Sequence, residues 1–329
     1  MRAQIISRFG DPDVFETATL PDPAPGPGQV LVRQQATSVN PVDYKLRRNG
    51  PSLAPALPAV LGADVSGVVV AVGEGVEDLA VGDAVYGAAG GVAGQPGAYA
   101  ELIAAEARLL AKRPTSVSAR EAAALPLVVI TAFEGLRRAG TRAGQRVLVR
   151  GGTGGVGHIA IQYAKALGAH VTAAVSSPAK AELARELGAD EITLYKDEPI
   201  DVAVARITDG VGFDVVYDAT GGKDLATAFE AARLNGQVVS IVSMFEADLS
   251  PMHVKGLSLH IVFMLLPMLH GIGGDEHKRL LTEAASLVDA GKLRPLIDPK
   301  RFSLADIAAA HTHIESGQAV GKIVVDIAD

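Results

Sequence analysis

Six residues near the middle of the chain restrict its fold more than any other feature. Gly152-Thr153-Gly154-Gly155-Val156-Gly157 reads G-x-G-x-x-G. It follows a β-rich run, Arg146 to Arg150, and precedes a segment with Val156, Ala160, Tyr163 and Leu167 on one helical face. Glycines here allow a tight turn and bring backbone N–H groups close to a pyrophosphate, whose charge a helix N-terminus favours. A Gly-rich turn with no ligand would look similar in isolation. Its place between a strand and a helix makes this one a dinucleotide-binding fingerprint.

The next strand, His170 to Val175, ends in Ser176-Ser177-Pro178-Ala179-Lys180. A fold that binds NAD usually presents an acid there to the ribose 2′-hydroxyl. Two hydroxyls and an ammonium suit a 2′-phosphate instead, because a carboxylate would repel it. The expected cofactor is therefore NADPH. The same residues also read as an N-cap (Ser177), a first-position proline (Pro178) and a solvated helix charge (Lys180), and both readings hold together.

The 329 residues suggest two domains. Up to about residue 125 the chain is punctuated by Gly and Pro and carries short β-branched runs such as Val30 to Arg33 and Val65 to Val72, a β-rich pattern. From Glu121 apolar helical spacing begins (Ala122, Leu125, Val129, Phe133, Leu136), and strands then alternate with helices, the sign of a parallel α/β sheet. Later strands are expected at Phe213 to Tyr217, Gln237 to Val242 and Leu257 to Met264, a helix at His277 to Ala290, and a closing strand at Lys322 to Ile327.

Composition removes several function classes. With no cysteine there are no disulfides, iron–sulfur clusters, thiolate zinc sites or cysteine nucleophiles. A formal charge of −7, no Trp and 4% aromatic residues leave no footprint for nucleic acid. The N-terminus lacks the apolar core of a signal peptide, and His260 to Ile272 is too short to span a bilayer, so a cytosolic protein is expected. His253, His260, His270, His311 and His313 show no metal-ligand spacing.

Five ordered segments carry a family resemblance: Asn40 to Leu46 (NPVDYKL), Leu57 to Gly67 (LPAVLGADVSG), Val81 to Gly87 (VGDAVYG), Gly97 to Leu102 (GAYAEL) and Gly151 to Gly157. Over nearly the whole chain the sequence resembles the zinc-free quinone oxidoreductase and zeta-crystallin branch of the medium-chain dehydrogenase/reductase superfamily. The resemblance implies an α/β protein in which residues 1–125 and 266–329 form a GroES-like β-rich catalytic domain. Residues 126–265 form a Rossmann domain with a doubly wound parallel sheet. Zinc alcohol dehydrogenases of that superfamily carry Cys at the place of Asn40 and Gly-His-Glu at Gly62-Ala63-Asp64, so no metal is expected.

Carried over residue by residue, the resemblance sets Asn40 and Thr131 beside the nicotinamide and Gly154, Gly155, Val156 and Gly157 on the pyrophosphate. Ser176, Lys180 and Tyr195 surround the 2′-phosphate. Some relatives add an arginine near the C-terminus; the matching position here is Gly317, and Lys322 is the nearby replacement. The implied reaction is hydride transfer to a quinone, with Asn40 and Tyr44 as the candidate catalytic donors. An enone or enal reductase using the same cofactor is the nearest alternative, and a non-enzymatic NADPH-binding protein is the second. A homodimer is expected, with the apolar run Leu257 to Leu266 as the pairing edge. The small residues Ser66, Gly67 and Ala88 to Gly94 suggest little side-chain crowding around the acceptor.

Overall fold

In the computed structural model, which describes residues 1–50, 53–222 and 225–327, six strands run parallel in one sheet. They are Arg146–Arg150, His170–Val175, Glu191–Leu194, Phe213–Asp218, Ala232–Ser240 and Ser258–Ile261. Numbered in that order, they lie 3-2-1-4-5-6 across the sheet, the doubly wound arrangement. Helices cover the crossovers, so the central strands are apolar on both faces: Val147, Leu148 and Val149 are fully buried. The third strand, only four residues long, has no counterpart in the sequence reading. The sixth is shorter than Leu257 to Met264, and a short helix, Leu266–His270, follows it.

This sheet belongs to the unit Thr131–Phe263; a second unit combines Met1–Ile130 with Met264–Asp329. The units part at 130/131 and 263/264, where the sequence suggests 125/126 and 265/266. The apolar spacing predicts one long helix from Glu121, but two form, Ala119–Ala123 and Pro126–Arg138. The break falls at Leu125, because the residue before a proline is pushed out of helical conformation.

The second unit is a β-rich assembly around the strand Gln29–Val39. This strand pairs antiparallel with Asp64–Val72, with Leu102–Glu106 and with Ile323–Asp326. The last pairing, Ile323 opposite Val39 through Asp326 opposite Ala36, joins the two ends of the chain. A separate three-stranded sheet is built from Phe15–Thr19, Arg2–Ile6 and Ala59–Val60. The small residues of the 62–97 region turn out to serve backbone packing. A Cβ on Gly67 would lie 2.1 Å from the Arg33 carbonyl oxygen, and one on Gly91 would lie 2.7 Å from that of Gly62. The run Ala88 to Val92 is buried, so these residues do not mark open space around an acceptor.

Candidate functional site

The glycine loop follows the first strand of the parallel sheet. Gly151 has a φ of 71°, and the helix Gly157–Ala166 begins directly after the loop. A Cβ on Gly157 would sit 2.0 Å from the Gly151 carbonyl oxygen, so only glycine lets the helix start against the turn. Gly154 closes the turn by donating to the Gly151 carbonyl at 2.9 Å, and Gly155 and Val156 lead into the first helical turn, where the His158 N–H donates back to the Gly154 carbonyl at 3.1 Å. His158, fully buried, brings Nδ1 to 3.0 Å from the Gly154 carbonyl and so braces the loop. Neither this brace nor the next contact is visible in the sequence. At the C-terminal end of the fourth strand, buried Asp218 lies 3.4 Å from Arg150 and accepts a hydrogen bond from the Thr220 hydroxyl at 2.5 Å. First and fourth strands are thus tied together where the strand order reverses, the place at which such sheets bind ligands.

Ser176, Ser177 and Tyr195 follow the ends of neighbouring strands, and Lys180 lies in the first turn of the helix after Ser177. Parallel register sets Val175 opposite Leu194, and the Tyr195 N–H donates to the Val175 carbonyl at 3.2 Å. Ser176 and Tyr195 therefore lie just beyond adjacent strands, with the tyrosine side chain 56% exposed. Ser177 caps the helix Pro178–Glu186, its hydroxyl accepting from the Lys180 N–H at a long 3.4 Å. The Lys180 ammonium has no partner among the described residues. Thr131 is buried in this unit, and its carbonyl accepts from the Tyr217 hydroxyl at 2.8 Å.

In the β-rich unit, Asn40 precedes the helix Pro41–Asn49, and its N–H donates to Asp43 at 2.7 Å. Its side chain is fully buried: Nδ2 donates to Asp64 at 2.8 Å, and Oδ1 accepts from Lys322 at 2.5 Å. Lys322 is 3% exposed and lies 3.5 Å from Asp64. This corrects its expected role at the 2′-phosphate, because its amine is used up inside the core of this unit. Burial pulls the Lys322 ammonium below the ordinary lysine range, and Asp64 and Asp43 oppose that shift.

The same helix carries a second polar chain. Arg47 Nη1 lies 3.3 Å from His311 Nδ1, and His311 Nε2 lies 3.1 Å from the Tyr99 hydroxyl, which hydrogen-bonds Asp43. A guanidinium only donates, so Nδ1 is the acceptor and the ring carries its proton on Nε2. The order is then Arg47 to His311 to Tyr99 to Asp43. Burial, with Arg47 beside it, lowers His311 to about 3 and keeps it neutral. Burial raises Asp43 to about 7, and Asp64 adds to that. Tyr44, the next residue, is half-buried; burial and Glu315 raise its hydroxyl, which remains a proton donor at neutral pH and has no hydrogen-bond partner among the described residues. Also among the described residues, no group of three His, Asp or Glu side chains is arranged to hold a metal ion, and no helix is long and apolar enough to cross a membrane.

Comparison with known proteins fits both units. Residues 26–115 match the alcohol dehydrogenase GroES-like domain, and residues 187–325 match the zinc-binding dehydrogenase family. A quinone oxidoreductase of Pseudomonas aeruginosa is 34% identical over 97% of this chain and 98% of its own. The chain belongs to the medium-chain dehydrogenase/reductase superfamily. This medium-chain reductase is also 36% identical to an NADPH-dependent alkenal/one oxidoreductase of Arabidopsis thaliana, over 99% of its own length and 79% of the relative's. A solved alcohol dehydrogenase superfamily protein from Novosphingobium aromaticivorans superposes with a TM-score of 0.95 at 41% identity, covering both chains fully.

Proposed function

We propose that this medium-chain reductase transfers hydride from NADPH to a quinone without a metal. The observation that carries the cofactor choice is the set Ser176, Ser177, Lys180 and Tyr195 at and after adjacent strand ends: two hydroxyls, a phenol and an ammonium with no partner among the described residues, with no acid between residues 176 and 180. Such a set suits a doubly charged phosphate. Gly154 to Gly157 and the helix behind them suit the pyrophosphate, and Thr131 is assigned to the nicotinamide. NADPH, when bound, supplies the hydride. The protein's part is to hold the acceptor and stabilise the charge that develops on its oxygen. Asn40 and Tyr44 are assigned that part, as an amide and a protonated phenol. An electron-poor acceptor does not need the Lewis acid that oxidation of a simple alcohol requires.

Reduction of an enone or enal is the second reading, favoured by the similarity to the Arabidopsis alkenal/one oxidoreductase. The same donors would serve it, with hydride going to the β-carbon. We also propose a homodimer: among the described residues the sixth strand, Ser258–Ile261, pairs with no strand but the fifth, and Ile261 and Phe263 are exposed. The test of function is a panel of acceptors with NADPH: a benzoquinone, a naphthoquinone, an enone and, in reverse with NADP, ethanol and benzyl alcohol. Oxidation of NADPH by quinones or enones is expected. Efficient alcohol oxidation alongside inert quinones and enones would overturn the reading.

A further inference from the structure

Asn40 has an amide pinned at both ends. Lys322 Nζ donates to Asn40 Oδ1 at 2.5 Å and to the Val39 carbonyl at 3.3 Å, and it stands 3.5 Å from the Asp64 carboxylate. Three acceptors thus face a group that as an ammonium has three N–H bonds and no lone pair to satisfy. On the other side, Asn40 Nδ2 donates to Asp64 Oδ2. These contacts decide which end of the amide is oxygen, since reversal would set N–H against an ammonium and oxygen against a carboxylate. Asp64 is fixed in turn by the Ser38 hydroxyl at 2.5 Å and by the Leu127 N–H at 2.9 Å, in the first turn of the helix Pro126–Arg138.

A primary amide carries two N–H bonds, and only one of them is used. The second N–H of Asn40 has no acceptor among the described residues, although the residue is fully buried. An unmet buried donor is costly and calls for an explanation. Here two ionisable groups, themselves expensive to bury, converge on this amide and fix its plane and direction.

We propose that Lys322 and Asp64 are positioning residues, which hold the free Nδ2–H of Asn40 as a preorganised donor to the oxygen of the acceptor. The proposal rests on the reading that the chain reduces a carbonyl acceptor. The acceptor gains a hydride, with NADPH becoming NADP⁺, and its oxygen takes up the negative charge. One proton from solvent then completes the hydroquinone or the enol. A donor already aimed at that oxygen needs no rearrangement as the charge forms. Without Lys322 the amide oxygen loses its donor and only Asp64 still opposes reversal, so the amide is held less firmly in the orientation that offers Nδ2–H.

The test is a double-mutant cycle on kcat, run well below the melting temperature of each variant, with NADPH affinity read separately by fluorescence. Asn40→Ala should lower kcat about a hundredfold, the scale of one oxyanion donor. Lys322→Met should lower it by about tenfold or more, with NADPH affinity within about twofold of the parent's. Because Lys322 acts through Asn40, the combined variant should be no slower than Asn40→Ala within about twofold. Losses that multiply, or a Lys322→Met enzyme that keeps its kcat and only melts earlier, would overturn the proposal. If Lys322→Met does not fold, Lys322→Met combined with Asp64→Asn removes both buried charges together; it should stay slow, and parental kcat there would overturn the proposal as well. A parent that reduces neither quinones nor enones sinks the functional reading; an active parent with an additive cycle sinks only this inference.

Discussion

Replacing Asp43 with Asn should change how stability depends on pH. Asp43 is buried with Asp64 and Lys322 near it, while Tyr99 and the Asn40 N–H donate to it. Burial, then Asp64, raises its pKa from 3.8 in a free chain to about 7. The folded protein therefore binds this proton more tightly than the unfolded one. The stability it contributes is complete below about pH 4 and is lost as pH rises towards 7, at about 1.4 kcal/mol per pH unit. Over the span from 3.8 to about 7 this amounts to roughly 4 kcal/mol as an upper figure, and above 7 the loss levels off. Asn cannot ionise. At low pH the variant should be somewhat less stable, because its amide nitrogen cannot accept the Tyr99 proton. Urea unfolding of parent and Asp43→Asn from pH 5 to pH 8.5 measures the difference directly. The gap should close, or change sign, by about 2 kcal/mol between pH 5 and 7 and then change little. Parallel stability curves over that range would refute the reasoning.

Lys180→Ala should weaken NADPH by about 1 to 3 kcal/mol and leave NADH almost unchanged, as loss of a charge-assisted hydrogen bond requires; titration of both nucleotides checks it, and equal affinity of the parent for the two would refute it. Gly157→Ala should force the loop off the helix, since its Cβ would meet the Gly151 oxygen at 2.0 Å. NADPH binding should fall by about tenfold or more, and unaltered binding would show that the turn yields easily. Tyr44→Phe should lower kcat by about tenfold at unchanged KM, because the phenol is assigned to the developing charge rather than to ground-state binding; an unchanged kcat would leave Tyr44 as packing.

What the sequence reveals, and what it hides, follows from how local each signal is. The glycine loop, Ser177 as a cap and the absence of an acid after Val175 are contiguous patterns, and they follow the C-terminal ends of two adjacent parallel strands. Lys322 shows the opposite case. The resemblance sets it near the 2′-phosphate; only the pairing of Ile323–Asp326 with Val39–Ala36, across nearly the whole chain, carries it to Asn40. The order Arg47, His311, Tyr99, Asp43 is hidden for the same reason, since His311 is separated from Arg47 by 264 residues. Glu191–Leu194 escapes because four residues are too few to show a period. The helix break at Leu125 is legible in Pro126, but the apolar spacing around it masks the signal.

The most direct test of the central claim is a single turnover. Protein loaded with one equivalent of NADPH is mixed with a benzoquinone, and in a second run with an enone, while NADPH absorbance and the reduced acceptor are followed together. Absorbance is expected to be lost completely in a protein-dependent phase, with one reduced acceptor formed for each NADPH consumed, and NADH in its place to give a markedly slower or weaker reaction. Tightly bound NADPH that survives both acceptors undiminished would contradict the account and leave a nucleotide-binding protein in place of a reductase.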